Sequence, residues 1–380
     1  MSKSKLYKII GGVALAGIVA GIAVYSQLSN RHKAIVKAEF LYKTGLVDNE
    51  WKVSDDYREY KMLSPTFLID GIYKSMEGPK ASNFVQLSSD TTLIWITGFD
   101  VKAVDARTSK MLSNDFICHT NIDFNDAKYF GGFGLNDRIG VNYPRMTSLS
   151  HGIEHFHLPE GFGIPMKGND LLTVTTESLN HNLKDEYRWI KHEVSIGYAT
   201  DNSRIKPLMS RTIMVMLPFD EQNPYKQPLD PSANSCIPVE TKNHTYDDGH
   251  GSKLSGHWVV PIGKKTYRSD VIEQLQIKDS LRLHAAAIHV HPFATSITLY
   301  DKTDKKPIFI SNMINHKNRI GLGKVEDFVS ETGIWLYKSH NYELVLTVDN
   351  TTKVEQDMMG SAFLFFYDAE LENRIRTRKK

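Results

Sequence analysis

The chain has 380 residues, 41% apolar and 24% charged, which at roughly 150 residues per domain is enough for two or three cores. That composition excludes a disordered chain, a collagen-like chain and a polytopic membrane protein, and two cysteines exclude a disulfide scaffold or a cysteine-based zinc ribbon. The net charge of +2 divides unevenly: residues 1–34 hold Lys3, Lys5, Lys8, Arg31 and Lys33 and no acid, so the remainder carries −3, a poor match for nucleic acid, whose phosphates require a concentrated basic face.

The first element is Ile9 to Tyr25, 17 residues without a charge, preceded by three lysines. As a helix it spans about 26 Å, near the roughly 30 Å hydrocarbon core of a bilayer. It reads as a signal-anchor or as a cleaved signal peptide, with Gly21-Ile22-Ala23 an acceptable small-x-small cleavage site. No cysteine follows it, which argues against a lipoprotein anchor. Gly17 and Gly21 form a GxxxG pair able to pack helices, although small residues filling a short span is the simpler reading. Lysines on the amino-terminal side favour a cytoplasmic amino terminus, with the body on the periplasmic, lumenal or extracellular side; Arg31 and Lys33 act against it. In that oxidising space Cys118 and Cys236 could be bridged, but spacing does not show that they meet.

Residues 35–85 read as a linker and lead-in. Beyond them the chain reads as short β-branched and apolar runs: Thr92–Thr97, Ile213–Leu217, Ala285–His291, Ser296–Tyr300, Tyr342–Val348 and Ala362–Tyr367. Turn clusters separate them, among them Gly131-Gly-Phe-Gly134, Asp247-Asp-Gly249 and Asn350-Thr-Thr352. Helical periodicity is weak. The pattern predicts an all-β protein of two sandwiches, over 86–222 and 235–375, divided in the proline-rich stretch Pro218–Pro238. No internal repeat is present.

The chemistry-bearing residues are histidines. His289 and His291 stand two apart within a predicted strand, so both point to one face and can reach one metal ion. Two exposed histidines on a strand would look the same. Met358, before the terminal strand, offers a thioether; two imidazoles and a thioether suit copper, Cu(I) above all. A methionine at such a place more often fills a core. His155 and His157 form a second pair of this spacing beside His151, best read as a solvated turn, and His284 falls on the opposite strand face from His289. His244, His250, His257 and His340 read as loop or polar-face residues. There is no Gly-x-Ser-x-Gly, P-loop or His-Glu-x-x-His. Asn243-His-Thr245 is a glycosylation sequon, which has meaning only in a eukaryotic secreted chain.

The order His289-Val-His-Pro, Tyr342-Glu-Leu-Val-Leu-Thr-Val-Asp-Asn-Thr-Thr, Gln356-Asp-Met-Met and Phe365-Phe-Tyr resembles the carboxy-terminal half of the copper type II, ascorbate-dependent monooxygenases, which include peptidylglycine α-hydroxylating monooxygenase and dopamine β-monooxygenase. Leu158-Pro-Glu-Gly-Phe-Gly-Ile-Pro, followed by Leu179-Asn-His-Asn182 and preceded by Phe116-Ile-Cys-His-Thr120, is similar to its amino-terminal half. The resemblance covers roughly residues 90–370. It implies two jelly-roll-like sandwiches, a catalytic copper on His289, His291 and Met358 (Met359 being the next choice), and a separate electron-transfer copper on His119 and His181 with Cys118 as a third ligand. It further implies dioxygen and ascorbate, or another reductant, spent on hydroxylating an unactivated C–H of a small-molecule or peptide substrate. Two departures qualify that. Cys118-His119 stands where the family has adjacent histidines, and Ala287 and Ala362 stand where its peptide hydroxylase holds a peptide carboxylate, which argues against peptide amidation. A copper-binding protein of the same fold without hydroxylase activity, for storage, sensing or delivery, is the alternative; a structural or adhesion-type sandwich whose histidines bind nothing is the third.

Overall fold

The computed structural model describes residues 3–141, 143–200, 204–218, 245–247 and 253–377. Helix α1 (Lys3–Gln27) contains the apolar stretch Ile10–Gln27, no part of which is buried and which is long enough for a membrane anchor or a signal sequence. Helix α2 (Asn30–Lys43) starts at Ser29, whose side chain accepts from the His32 amide. It docks on the body: Ala34 is buried, and Lys37 pairs with Asp70 at 2.5 Å and bonds the Tyr73 hydroxyl at 2.7 Å.

The first sandwich follows. Its strands are β1 (Lys52–Asp55), β2 (Glu59–Leu63), β3 (Phe67–Ile69), β4 (Lys80–Gln86), β5 (Leu93–Asp105), β6 (Ile117–Phe124), β7 (Arg145–Leu149), β8 (His155–His157), β9 (Phe162–Lys167), β10 (Leu171–Ser178) and β11 (Arg188–Ala199). Helix α3 (Asp126–Phe133) lies between β6 and β7. One sheet runs β2-β11-β5-β9, with β1 at its edge; the other runs β4-β10-β6-β7. Strands β1 to β4 fall inside the stretch expected as linker. They were illegible because β4 is exposed at five of seven positions and gains its place only by pairing with β10 along its whole length.

After β12 (Lys206–Met214) come the short strands β13 (Leu217–Pro218), β14 (Thr245–Asp247) and β15 (Lys253–Ser255). Cys236, and most of the expected domain boundary, lie outside the described residues. The second sandwich holds β16 (His257–Val260), β17 (Gly263–Asp270), helix α4 (Ile272–Leu275), β18 (Ser280–Val290), β19 (Ala294–Asp301), β20 (Lys306–Asn315), β21 (Leu322–Val325), β22 (Phe328–Tyr337), β23 (Tyr342–Asn350) and β24 (Gln356–Tyr367), closed by helix α5 (Ala369–Thr377). Its sheets are β16-β24-β18-β22 and β17-β23-β19-β20-β21.

Both halves have one topology. With the eight main strands of each half counted in chain order, one sheet reads first, eighth, third, sixth and the other second, seventh, fourth, fifth. That is the jelly-roll order, and the protein is all-β, two jelly rolls behind an amino-terminal helix. The alternation that builds the cores is plain on β23, buried at every second residue from Tyr342 to Asn350.

β12 joins the halves. It pairs in parallel with β9 of the first sandwich through Lys206 and Pro207, and antiparallel with β24 of the second over seven residues. The outward face of the β16-β24-β18 sheet is thereby turned onto the first sandwich, where Phe365 stacks on Phe156 at 5.2 Å.

Candidate metal centre

Strand alternation decides which side chains face that junction. On β18, Ile288 and Val290 point into the second core, so His289 and His291 point out of it. β24 pairs with β18 such that His289 lies opposite Ser361, and the His291 amide bonds the Met359 carbonyl at 3.3 Å. Asp357, Met359, Ser361 and Phe363 therefore share the histidine face. β16 lies on the other side of β24 with His257 opposite Met359, which brings His257 to the same face. From the first sandwich β6 contributes His119, on the face opposite the core residues Ile122 and Phe124.

These residues meet at a cavity of about 800 Å³ between the sandwiches. Four imidazoles, His119, His289, His291 and His257, line it as a chain of neighbours, with ring centroids 6.1, 5.9 and 5.2 Å apart in that order. Asp357 sits between the last two, with Oδ1 3.0 Å from His257 Nε2 and Oδ2 2.9 Å from His291 Nδ1. His257, His291 and Asp357 each offer a ligand atom within 4.8 Å of the others.

The electrostatics suit a cation. Burial alone would raise the Asp357 carboxyl, but the two imidazoles outweigh it and hold the group well below the usual carboxylate range. Burial, then the neighbouring His291 and His119, push the His289 imidazole far below its ordinary value, so it stays neutral with lone pairs to donate. Its Nδ1 is buried and has no hydrogen-bond partner among the described residues, a cost normally offset by a ligand. Imidazoles beside one carboxylate are a donor set that fits a first-row transition metal.

Sequence-predicted residues fall on both sides of this result. His289, His291 and His119 come together at the cavity; His181, in the turn after β10, does not line it, and burial first and then His291 push it down to about 4. The two expected sites, placed one in each domain and well apart, thus converge on one junction, because ligand-bearing faces of both sandwiches are turned toward each other. Met358 is a correction. It is fully buried, paired in register with Trp258, and faces the second core, one residue out of phase with the histidines; Met359 is the methionine that lines the cavity. Cys118 is not among the residues lining the cavity; it sits at the irregularity where β6 leaves register with β10, and its Sγ lies 3.4 Å from His119 Nδ1. His284 has a structural place, bonded to the Ser330 carbonyl at 2.9 Å and packed on Phe162.

Asp357 and His257 were missed. Asp357 carried a local signal, since it and Met359 stand two apart on one strand face. His257 carried none, because only the β16–β24 pairing brings it to the site.

Fold and site together define an all-β protein of two jelly rolls with a histidine-rich, metal-competent cavity between them. No protein-family model matches the chain, and no curated protein matches it. Among solved structures it is similar to PNGase F, a glycosylasparaginase from Flavobacterium meningosepticum, at 9% identity over 80% of this chain and 96% of that one, with a TM-score of 0.32. It is also similar to a cupin 2 conserved barrel domain protein from Leptotrichia buccalis, at 8% identity over 80% of this chain and 90% of that one, with a TM-score of 0.14. At these scores the likenesses add nothing to what the strand order shows.

Proposed function

We propose that the protein is a membrane-anchored, copper-dependent monooxygenase whose body lies on the extracytoplasmic side and which hydroxylates an apolar substrate held between its two jelly rolls. The observation that carries this reading is the convergence of four imidazoles on a single cavity large enough for a small organic molecule, with Asp357 set behind two of them. Thioethers on the same wall, Met359 on β24 and Met214 and Met216 around the end of β12, favour a soft metal over zinc or magnesium.

His257, His291 and Asp357 would hold the primary ion, and His119 and His289, with rings 6.1 Å apart, would hold a second beside it. Copper bound there supplies one-electron chemistry with dioxygen, its electrons coming from ascorbate or another reductant. The chain's own contribution is positional. Asp357 sets its negative charge between the two donor nitrogens, 3.0 Å from His257 Nε2 and 2.9 Å from His291 Nδ1, where it would share a cation with them. The apolar walls, Phe363, Leu254 and the methionines, bind the substrate and exclude water from the reacting end. Arg145, which also faces the cavity, is neutralised by Asp123 at 2.7 Å and so adds little net charge.

A second reading has its own support. Two histidines and one carboxylate with open positions is also the ligand set of non-haem iron(II) oxygenases, and His257, His291 and Asp357 match it in type.

The test uses the full chain in detergent, expressed with copper or with iron and assayed for bound metal and oxygen uptake. The expected result is retained copper, lost in His291→Ala, with ascorbate-dependent oxygen consumption that falls to background in that variant. Copper retained without oxygen uptake establishes binding, storage or delivery instead. Iron retained in preference to copper establishes the second reading.

A further inference from the structure

A second cluster lies outside the cavity, where three turns meet. Asp115 belongs to the single helical turn Asn114–Phe116 before β6, His151 follows β7, and His316 follows β20 of the second sandwich. His151 Nε2 is 3.0 Å from Asp115 Oδ1 and 3.2 Å from His316 Nε2. All three ligand atoms lie within 4.8 Å of one another. A tetrahedral zinc with nitrogen and oxygen ligands at about 2.0–2.1 Å has ligand–ligand edges of about 3.3 Å, so the spacing observed is close to that of a zinc site contracted around nothing.

Three further features point the same way. The other nitrogen of His151, Nδ1, lies 2.9 Å from Glu154 Oε1, and that oxygen is itself held by the Gly152 amide at 3.1 Å. This carboxylate–histidine arrangement is how proteins aim an imidazole at a metal. Asp115 Oδ1 is buried and accepts no hydrogen bond of good geometry, having only the His151 contact. Its other oxygen is held by Arg319 at 3.1 Å, which fixes the carboxylate plane.

We propose that Asp115, His151 and His316 form a zinc-binding site, with solvent as fourth ligand, that fastens the first jelly roll to the second. Arg319 Nη2, 3.1 Å from His316 Nε2, occupies the metal's approach. Arg319 is half exposed, and Nη2 can turn away from His316 while Nη1 stays on Asp115 Oδ2. Zinc binding therefore competes with one arginine hydrogen bond, and this gives the proposal a signature that an ion-pair network would not share. The proposal is independent of the metal in the cavity.

The experiment removes the cavity's donors first. Full-length His257→Ala/His289→Ala/His291→Ala protein, stripped with chelator, is titrated with Co2+ as a coloured stand-in for zinc. One ion per chain with the visible absorption of a four-coordinate site is expected. Adding His316→Ala should abolish it, and adding Arg319→Leu should tighten binding about tenfold by removing the competing charge-assisted bond. If the triple variant does not fold, the wild type serves: zinc should raise its Tm, and His316→Ala should remove both that rise and one equivalent of bound zinc. Absence of a Co2+ site, a Tm indifferent to zinc, or weaker binding in Arg319→Leu overturns the proposal and leaves an ion-pair clasp.

Discussion

The separation of Met358 from Met359 gives the sharpest test of the site. Met358 is fully buried in the second core and faces Trp258 across the β16–β24 pair, whereas Met359 lines the cavity. Met358→Ala removes three buried heavy atoms at roughly 0.8 kcal/mol each, about 2.4 kcal/mol of transfer free energy. The void left behind brings the total into the range of about 2–5 kcal/mol. For a domain of this size each kcal/mol moves Tm by about 2–4 °C, so a loss of roughly 6–12 °C is expected for about 3 kcal/mol. Metal content, measured on folded protein below the transition, should not change. Met359→Ala is expected to do the reverse: a small shift in Tm, and weaker Cu(I) binding measured by competition with a chromophoric Cu(I) chelator. Met358→Leu is the control, because it keeps the volume and should cost less than about 1.5 kcal/mol. Loss of copper from Met358→Leu, with Cu(I) affinity unchanged in Met359→Ala, would refute the strand-parity argument and return Met358 to the metal.

Two further outcomes follow from the same geometry. Asp357→Asn removes the charge shared by His257 and His291, and metal affinity should fall by at least about 100-fold, the upper end of what losing even a ligand-orienting carboxylate costs; isothermal titration checks it, and an unchanged affinity would exclude Asp357 from the centre. His192 is fully buried, with Nδ1 2.6 Å from Thr176 Oγ1 and Nε2 3.2 Å from Ser178 Oγ, and burial pushes it down to about 4. The unfolded chain, with an ordinary histidine near 6.5, binds a proton in that interval that the native chain refuses, so this stability is whole above pH 6.5 and declines as pH falls toward 4, by about 3 kcal/mol in total. His192→Gln should flatten the wild-type stability-versus-pH slope by close to one proton over that window, and an unaltered slope would mean that His192 ionises freely in the fold.

The residues themselves determined a good deal. The apolar front end is legible because a bilayer-spanning helix needs only a continuous run, and α1 carries it. The β class is legible because alternation and turn clusters are local: β5, β18, β19, β23 and β24 fall on five of the six predicted runs, and Ile213–Leu217 is split between the end of β12 and the start of β13. His289 and His291 share a face for the same local reason, a period of two along one strand.

What no local pattern contains is which strand lies beside which. β1–β4 are short or polar and become strands through their partners, so the first sandwich begins well before the stretch expected for it. The phase of β24 relative to β18 puts Asp357 and Met359, not Met358, beside the histidines, and a shift of one residue would have exchanged them. His257 reaches the site from more than 30 residues before His291 only because β16 and β18 flank the same strand. His119 reaches it only because β12 turns the second sandwich onto the first. Local periodicity sets the side of a strand on which a side chain stands; long-range strand pairing, whose free energy is spread over the whole sheet, sets what stands opposite, and a metal site needs both.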